Sequence, residues 1–192
     1  MAEFINKPEN MVYIKISVKI MNIKFNKCEP NFIKNICQGR CCVLGKYIAI
    51  LPKEEMGLKK INIAVENGIL KLKDNICPFF LKDTFLCSLH NTKHKPMSCI
   101  LSPFRINDNN TLVIKRRNFC FKCFKKESNE KLPSYIVFKN SLIKLFGIEN
   151  YSEIVKKMEN KYQTDFYIKM TKENYKNVLI LKDIINKNTK VK

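Results

Sequence analysis

Hydrophobic and polar residues alternate with period two near the start of the chain. Val12, Ile14, Ile16, Val18 and Ile20 fall on one face, and Tyr13, Lys15, Ser17 and Lys19 on the other. Alternation of that length predicts a half-buried strand over 12–20. Residues 26–45 lose the period, gather cysteine, Asn, Pro and Gly, and read as an irregular knuckle. Tyr47 to Leu51 predicts a short strand. Pro52 with Glu54 and Glu55 predicts a helix start, because proline suits the first turn and carboxylates suit its positive end; the helix runs to about Lys60. Ile61–Val65 and Ile69–Leu72 flank Glu66-Asn67-Gly68, and Asn-Gly between apolar runs predicts a hairpin. Residues 76–104 hold Pro78, Pro96 and Pro103, so regular structure there should be brief. Asp108-Asn109-Asn110 turns the chain into a strand, Thr111–Lys115.

After about residue 133 the period becomes helical. Tyr135, Phe138, Leu142, Leu145 and Phe146 recur at helix spacing up to Gly147, a natural C-terminal stop. Ser152 is positioned to cap a second helix bearing Ile154, Met158 and Tyr162. Thr171 can cap a third with Tyr175, Val178, Leu179 and Ile185. The expected class is therefore α+β. A small irregular cysteine-rich metal-binding module with short strands, 11–126, precedes a helical C-terminal region, 127–192, that packs on it or on a partner.

Composition narrows the function classes. At 192 residues with 45% apolar content the chain can bury a core without disulfide staples. No apolar run reaches the ~18–20 residues needed to span a bilayer. The polar start MAEFINKPEN is not a secretory signal, so a cytoplasmic location is expected. Lys and Arg number 36 against 17 acids, a net charge of +19, which draws in polyanions. Only Arg40, Arg105, Arg116 and Arg117 are arginines, so phosphate contact by lysine is expected rather than bidentate reading of guanine. With five Gly there is no phosphate-cradling glycine loop, and no GxSxG or HExxH occurs.

The cysteines carry the sharper signal. They stand at 28, 37, 41, 42, 77, 87, 99, 120 and 123, an odd number in a chain without an export signal, which argues against a disulfide framework. Cys37-Gln-Gly-Arg-Cys41-Cys42 packs three thiols into six residues, and Cys120-Phe-Lys-Cys123 is a CxxC. Clustered thiolates suit a soft metal and not magnesium, calcium or manganese. Zinc takes four Cys, or Cys with His, and a four-iron cluster also takes four Cys. Nine thiols could fill two four-ligand sites with one left over, and the partition is open. His90 and His94 are the only histidines; four apart on a helix they would share a face, whereas their polar surroundings equally suit a loop. His90 is the candidate ligand or supporting donor of the two. A Cys99–His90 pair could also serve as nucleophile and base, although thiols in such clusters are usually metal-bound.

The order of the cysteine elements resembles the YkgJ-type cysteine-cluster family, described as a zinc- or iron-chelating domain. The matching stretches are Cys37-Gln-Gly-Arg-Cys41-Cys42 and Ile48-Ala-Ile-Leu51-Pro-Lys-Glu54-Glu55. They continue with Cys77-Pro78-Phe79-Phe80-Leu81, Cys87-Ser88-Leu89-His90 and Pro96-Met97-Ser98-Cys99-Ile-Leu-Ser-Pro103-Phe104. Here Cys37 lies one residue further from the vicinal pair than in the family pattern, Lys95 replaces the usual Arg, and Cys28 is displaced from the first family cysteine. The resemblance covers roughly 28–104 and implies a metal site drawn from Cys37, Cys41, Cys42, Cys77, Cys87 and Cys99.

Three functions follow as expectations. The first is a metal-binding protein holding zinc or an iron–sulfur cluster in a structural or redox role. The second is a basic module bound to RNA, DNA or the ribosome, in which Arg116, Arg117, Lys122, Lys125 and Lys126 interleave with Phe119, Phe121 and Phe124, a composition suited to phosphate contact and base stacking. The third is an iron–sulfur-dependent enzyme modifying a macromolecule.

Overall fold

The alternating N-terminal segment becomes the inner strand of the largest sheet in the computed structural model, which describes residues 11–43, 47–90, 92–115, 124 and 131–189. In β1 (Met11–Ile16), Ile14 and Ile16 are fully buried and Tyr13 is exposed. β1 pairs in parallel with β8 (Thr111–Ile114), which pairs antiparallel with β7 (Phe104–Ile106). On its other side β1 pairs antiparallel with β10 (Phe166–Thr171) along its whole length, from Met11 opposite Thr171 to Ile16 opposite Phe166. The sheet order is therefore β10-β1-β8-β7. Its inner face presents Ile14, Ile16, Phe104, Ile106, Leu112, Ile114, Phe166, Ile168 and Met170 to one core. Three helices close that core, α7 (Lys139–Phe146), α8 (Ile148–Glu159) and α9 (Lys172–Thr189), through Leu142, Leu145, Ile154, Met158, Val178 and Leu181. Each fully buried Ile or Leu contributes roughly 1.5–3 kcal/mol relative to exposure, so this layer dominates the apolar stabilisation.

The first strand is shorter than its alternation predicts. It stops at Ile16, and Val18–Asn22 form a short helix, α1, that buries Met21. The cause lies far along the chain: the Val18 amide donates to Asp165 Oδ1 at 3.1 Å, 147 residues away. At the other end the Ser134 hydroxyl donates to the carbonyls of Ile20 (2.8 Å) and Met21 (3.1 Å). Ser134 opens α6 (Ser134–Val137), just after β9 (Leu132–Pro133), which pairs with β2 (Lys24–Phe25).

The C-terminal region is likewise not purely helical, since β10 lies within it. Phe166, Ile168 and Met170 are buried while Tyr167, Lys169 and Thr171 are exposed, a period-two stretch that reads as strand once it has β1 to pair with. Gly147 ends α7 as expected, with φ +85°. α8 begins immediately after it rather than at Ser152, whose hydroxyl donates to the Ile148 carbonyl inside the helix at 3.0 Å. Thr171 does cap α9, its Oγ1 accepting the Asn174 amide at 3.2 Å.

A second, smaller core gathers Ile50, Leu58, Val65, Leu70, Cys77, Phe79 and Leu89. Around it, β3 (Tyr47–Ala49) pairs antiparallel with β4 (Ile69–Lys71). The tight Asn67-Gly68 turn is present, with φ +51° and +73° and Glu66 bridged to Ile69. Residues 61–65 are nevertheless not the partner strand. The amides of Ile61 and Ile63 both donate to the Leu58 carbonyl and Asn62 adopts φ +59°, so this stretch wraps the end of α4 (Pro52–Lys59) and β4 turns to β3. α4 itself starts where Pro52 and the acids place it, with the Leu51 amide donating to Glu54 Oε2 at 3.0 Å. Among the described residues no helix is long and apolar enough to cross a membrane.

Candidate metal centre

The first cysteine block is shaped by two consecutive left-handed residues. α2 (Pro30–Phe32) runs into a π-helical turn, Ile33–Cys37, after which Gln38 (φ +54°) and Gly39 (φ +60°) reverse the chain into α3 (Arg40–Val43). The Cys42 amide closes the bend on the Gly39 carbonyl at 2.7 Å. Glycine is required there. A Cβ at position 39 would lie 2.4 Å from Phe80 Cε2 and 2.7 Å from the Phe85 carbonyl oxygen. The bend thus rests directly on the small hairpin of β5 (Phe80–Leu81) and β6 (Leu86–Cys87), in which Phe80 stands opposite Cys87. The Cys77 amide donates to the Cys42 carbonyl at 3.0 Å, so three of the cysteine blocks are joined through main chain.

The fourth block is anchored by side chains. α5 (Met97–Ile100) carries Cys99. The Met97 amide donates to Glu54 Oε1 at 2.7 Å, and the Ser98 hydroxyl donates to the Ala49 carbonyl at 2.6 Å. One carboxylate, Glu54, therefore holds the first turns of both α4 and α5. Its helix-start role was readable from its position after Pro52; its hold on α5, 43 residues away, was not.

Cys42, Cys77, Cys87 and Cys99, from four separate segments, act on one another electrostatically. A hydrogen bond with Cys42 pulls the Cys87 thiol down to about 6; it prevails over partial burial, with help from the Leu89 backbone and the Lys95 charge. Burial, reinforced by the charges of Cys77 and Cys87, pushes Cys99 up to about 12 against the opposing effects of Lys95 and Ser98. Of these two thiols, Cys87 thus ionises the more readily and Cys99 the less. Thiols held in this way suit a soft metal ion in chemical type.

The remaining candidates are placed as follows. Cys37 is buried at the end of the π turn, and Cys28 is exposed between β2 and α2. His90 Nδ1 lies 3.1 Å from Lys95 Nζ; burial first, and then the Lys95 charge, lower its pKa, so the neutral ring serves as acceptor for the ammonium. The residues around His94 form turns rather than a helix, so the two histidines share no helical face; the His94 ring instead packs near Gly57. The side chain of Cys41 lies outside the described residues, as do Cys120, Cys123, Arg116, Arg117, Lys122, Lys125 and Lys126. Among the described residues no group of three or more His, Cys, Asp or Glu is already spaced to hold a metal ion. The metal reading accordingly rests on donor chemistry and convergence, not on a formed coordination shell. Comparison with protein-family models, curated proteins and solved structures gave no match.

Proposed function

We propose that this is a metal-binding protein whose clustered cysteine thiolates hold zinc or an iron–sulfur cluster in a structural or redox role within a reducing cytoplasm. The observation that supports it most is that the cysteine-bearing segments meet: the Cys77 amide donates to the Cys42 carbonyl and Phe80 pairs with Cys87, with Cys99 near enough to feel the charges of Cys77 and Cys87. Thiols that merely fill a core are inert small hydrophobes and have no need of such company. Cys37 and Cys41, in the same glycine bend as Cys42, supply further donors. A metal held there would tie the bend, the hairpin and α5 together, adding its binding free energy to the stability of the smaller core.

Single serine substitutions test this. In Cys42→Ser, Cys77→Ser, Cys87→Ser and Cys99→Ser the bound metal per chain should fall well below that of the unaltered protein, while Cys28→Ser should keep it. Full metal content in all four serine variants, each folded by circular dichroism, would overturn the assignment.

A further inference from the structure

Among the described residues, the helices that pack on the four-stranded sheet share the core on its inner side, and its outer face carries aromatic and basic side chains. Alternation places Tyr13 and Lys15 of β1, Tyr167 and Lys169 of β10, Thr111 and Val113 of β8 and Arg105 of β7 on that face. The register sets Tyr13 opposite Lys169, Lys15 opposite Tyr167 and Arg105 opposite Val113. Tyr13 and Tyr167 are 51% and 61% exposed. They are diagonal neighbours across two strands, about 7 Å apart, each ring with a lysine directly across from it. None of the four strands contains an acid. Two acids flank them: Asp165, just before β10, bonds the Val18 amide and meets Lys15 at 3.2 Å, and Asp108, in the turn between β7 and β8, pairs with Lys182 and feels the Arg105 charge.

Two exposed rings on neighbouring strands, each with a lysine across from it and with Arg105 further along the same face on β7, on a chain of net charge +19, complement a ligand that carries flat π-faces and a regular negative charge together. We propose that this sheet face binds single-stranded nucleic acid, with bases stacking on Tyr13 and Tyr167 and phosphates meeting Lys15, Lys169 and Arg105. Base stacking on protein aromatics needs unpaired bases, and it tolerates sequence because every base has a π-face. A duplex hides its base faces and would meet only the three cations. The inference goes beyond the metal reading and shares no residue with it. It also uses none of the basic residues between 116 and 126 apart from their contribution to net charge.

The test is fluorescence anisotropy of the full chain with labelled mixed-sequence 12-nucleotide single strands, one of RNA and one of DNA, and with the corresponding duplex. Single strands should bind in preference to duplex, and the tighter arm identifies the natural polymer. With three phosphate contacts, log affinity should fall against log salt with a slope of about −2. Tyr13→Ala and Tyr167→Ala should each weaken binding about 5- to 150-fold, Tyr13→Phe and Tyr167→Phe should retain it, and Met56→Ala, exposed on α4, should have no effect. Because these side chains are exposed, thermal midpoints should be unchanged. The proposal is overturned by absent binding at low salt, by equal affinity for duplex, or by alanine variants that bind like the unaltered protein. Binding to phosphatidylserine vesicles that is lost on the same tyrosine substitutions would also overturn it.

Discussion

Replacing Gly39 by alanine perturbs the first cysteine block at its tightest point. The residue has φ +60°, and the added methyl would meet Phe80 Cε2 at 2.4 Å and the Phe85 carbonyl oxygen at 2.7 Å. The left-handed backbone costs an L-residue roughly 1–2 kcal/mol. The ring edge can swing aside, but the carbonyl belongs to a main chain already held at φ +58° at Phe85, so the overlap adds an overpacking cost of roughly 1–3 kcal/mol. The expected loss of unfolding free energy is therefore about 2–5 kcal/mol, a large part of the roughly 5–15 kcal/mol of a typical domain. Gly147→Ala is the matched control. Its φ is +85° but nothing lies within 4 Å of the added methyl, so it should lose only the conformational cost of roughly 1–3 kcal/mol. Urea unfolding followed by circular dichroism measures both. Bound metal per chain should drop in Gly39→Ala, because Phe80 stands opposite Cys87, and persist in Gly147→Ala. A Gly39→Ala protein within about 0.5 kcal/mol of the parent, the range of ordinary surface changes, would refute the claim that this bend is wedged against the hairpin.

Glu54→Ala removes a carboxylate that accepts amides from both Leu51 and Met97. It should cost about 1.5–3 kcal/mol in chemical denaturation, with Glu54→Gln losing less because its amide oxygen still accepts one of them. Asp165 is held below its ordinary value of 3.8: burial alone would raise it, but hydrogen bonds from Lys15 and the Val18 amide, with the Lys15 charge, outweigh that effect. Its stabilising contribution is thus complete above about pH 4 and lost as pH falls through the depressed folded value. Asp165→Asn should flatten that part of the acid unfolding profile, whereas an unchanged profile would remove Asp165 from the account. Ser134→Ala, at a fully buried hydroxyl donating to the last carbonyls of α1, should lower stability by about 1–3 kcal/mol, measured by thermal unfolding.

Local chemistry in the sequence was legible wherever a single segment decides its own shape. Pro52 with Glu54, the Asn67-Gly68 turn, the Gly147 stop and the Thr171 cap each act within about four residues, and each is present in the fold. What escaped depends on partners far along the chain. Alternation through Ile20 gave no hint that Asp165 would draw Val18 into a helix. The six residues of β10 became a strand beside β1, and β4 took β3 as partner because the segment ahead of it was already bonded to the end of α4. The cysteine blocks could be ordered from sequence. That Cys42 lies against Cys87, or that Gly39 rests on Phe80, is a tertiary fact with no local trace.

The central claim is that the clustered thiols hold a soft metal, and metal content after anaerobic isolation tests it most directly. The account predicts either brown protein with iron and acid-labile sulfide or colourless protein with stoichiometric zinc. Folded protein carrying neither, with all nine thiols titrating freely, would contradict it.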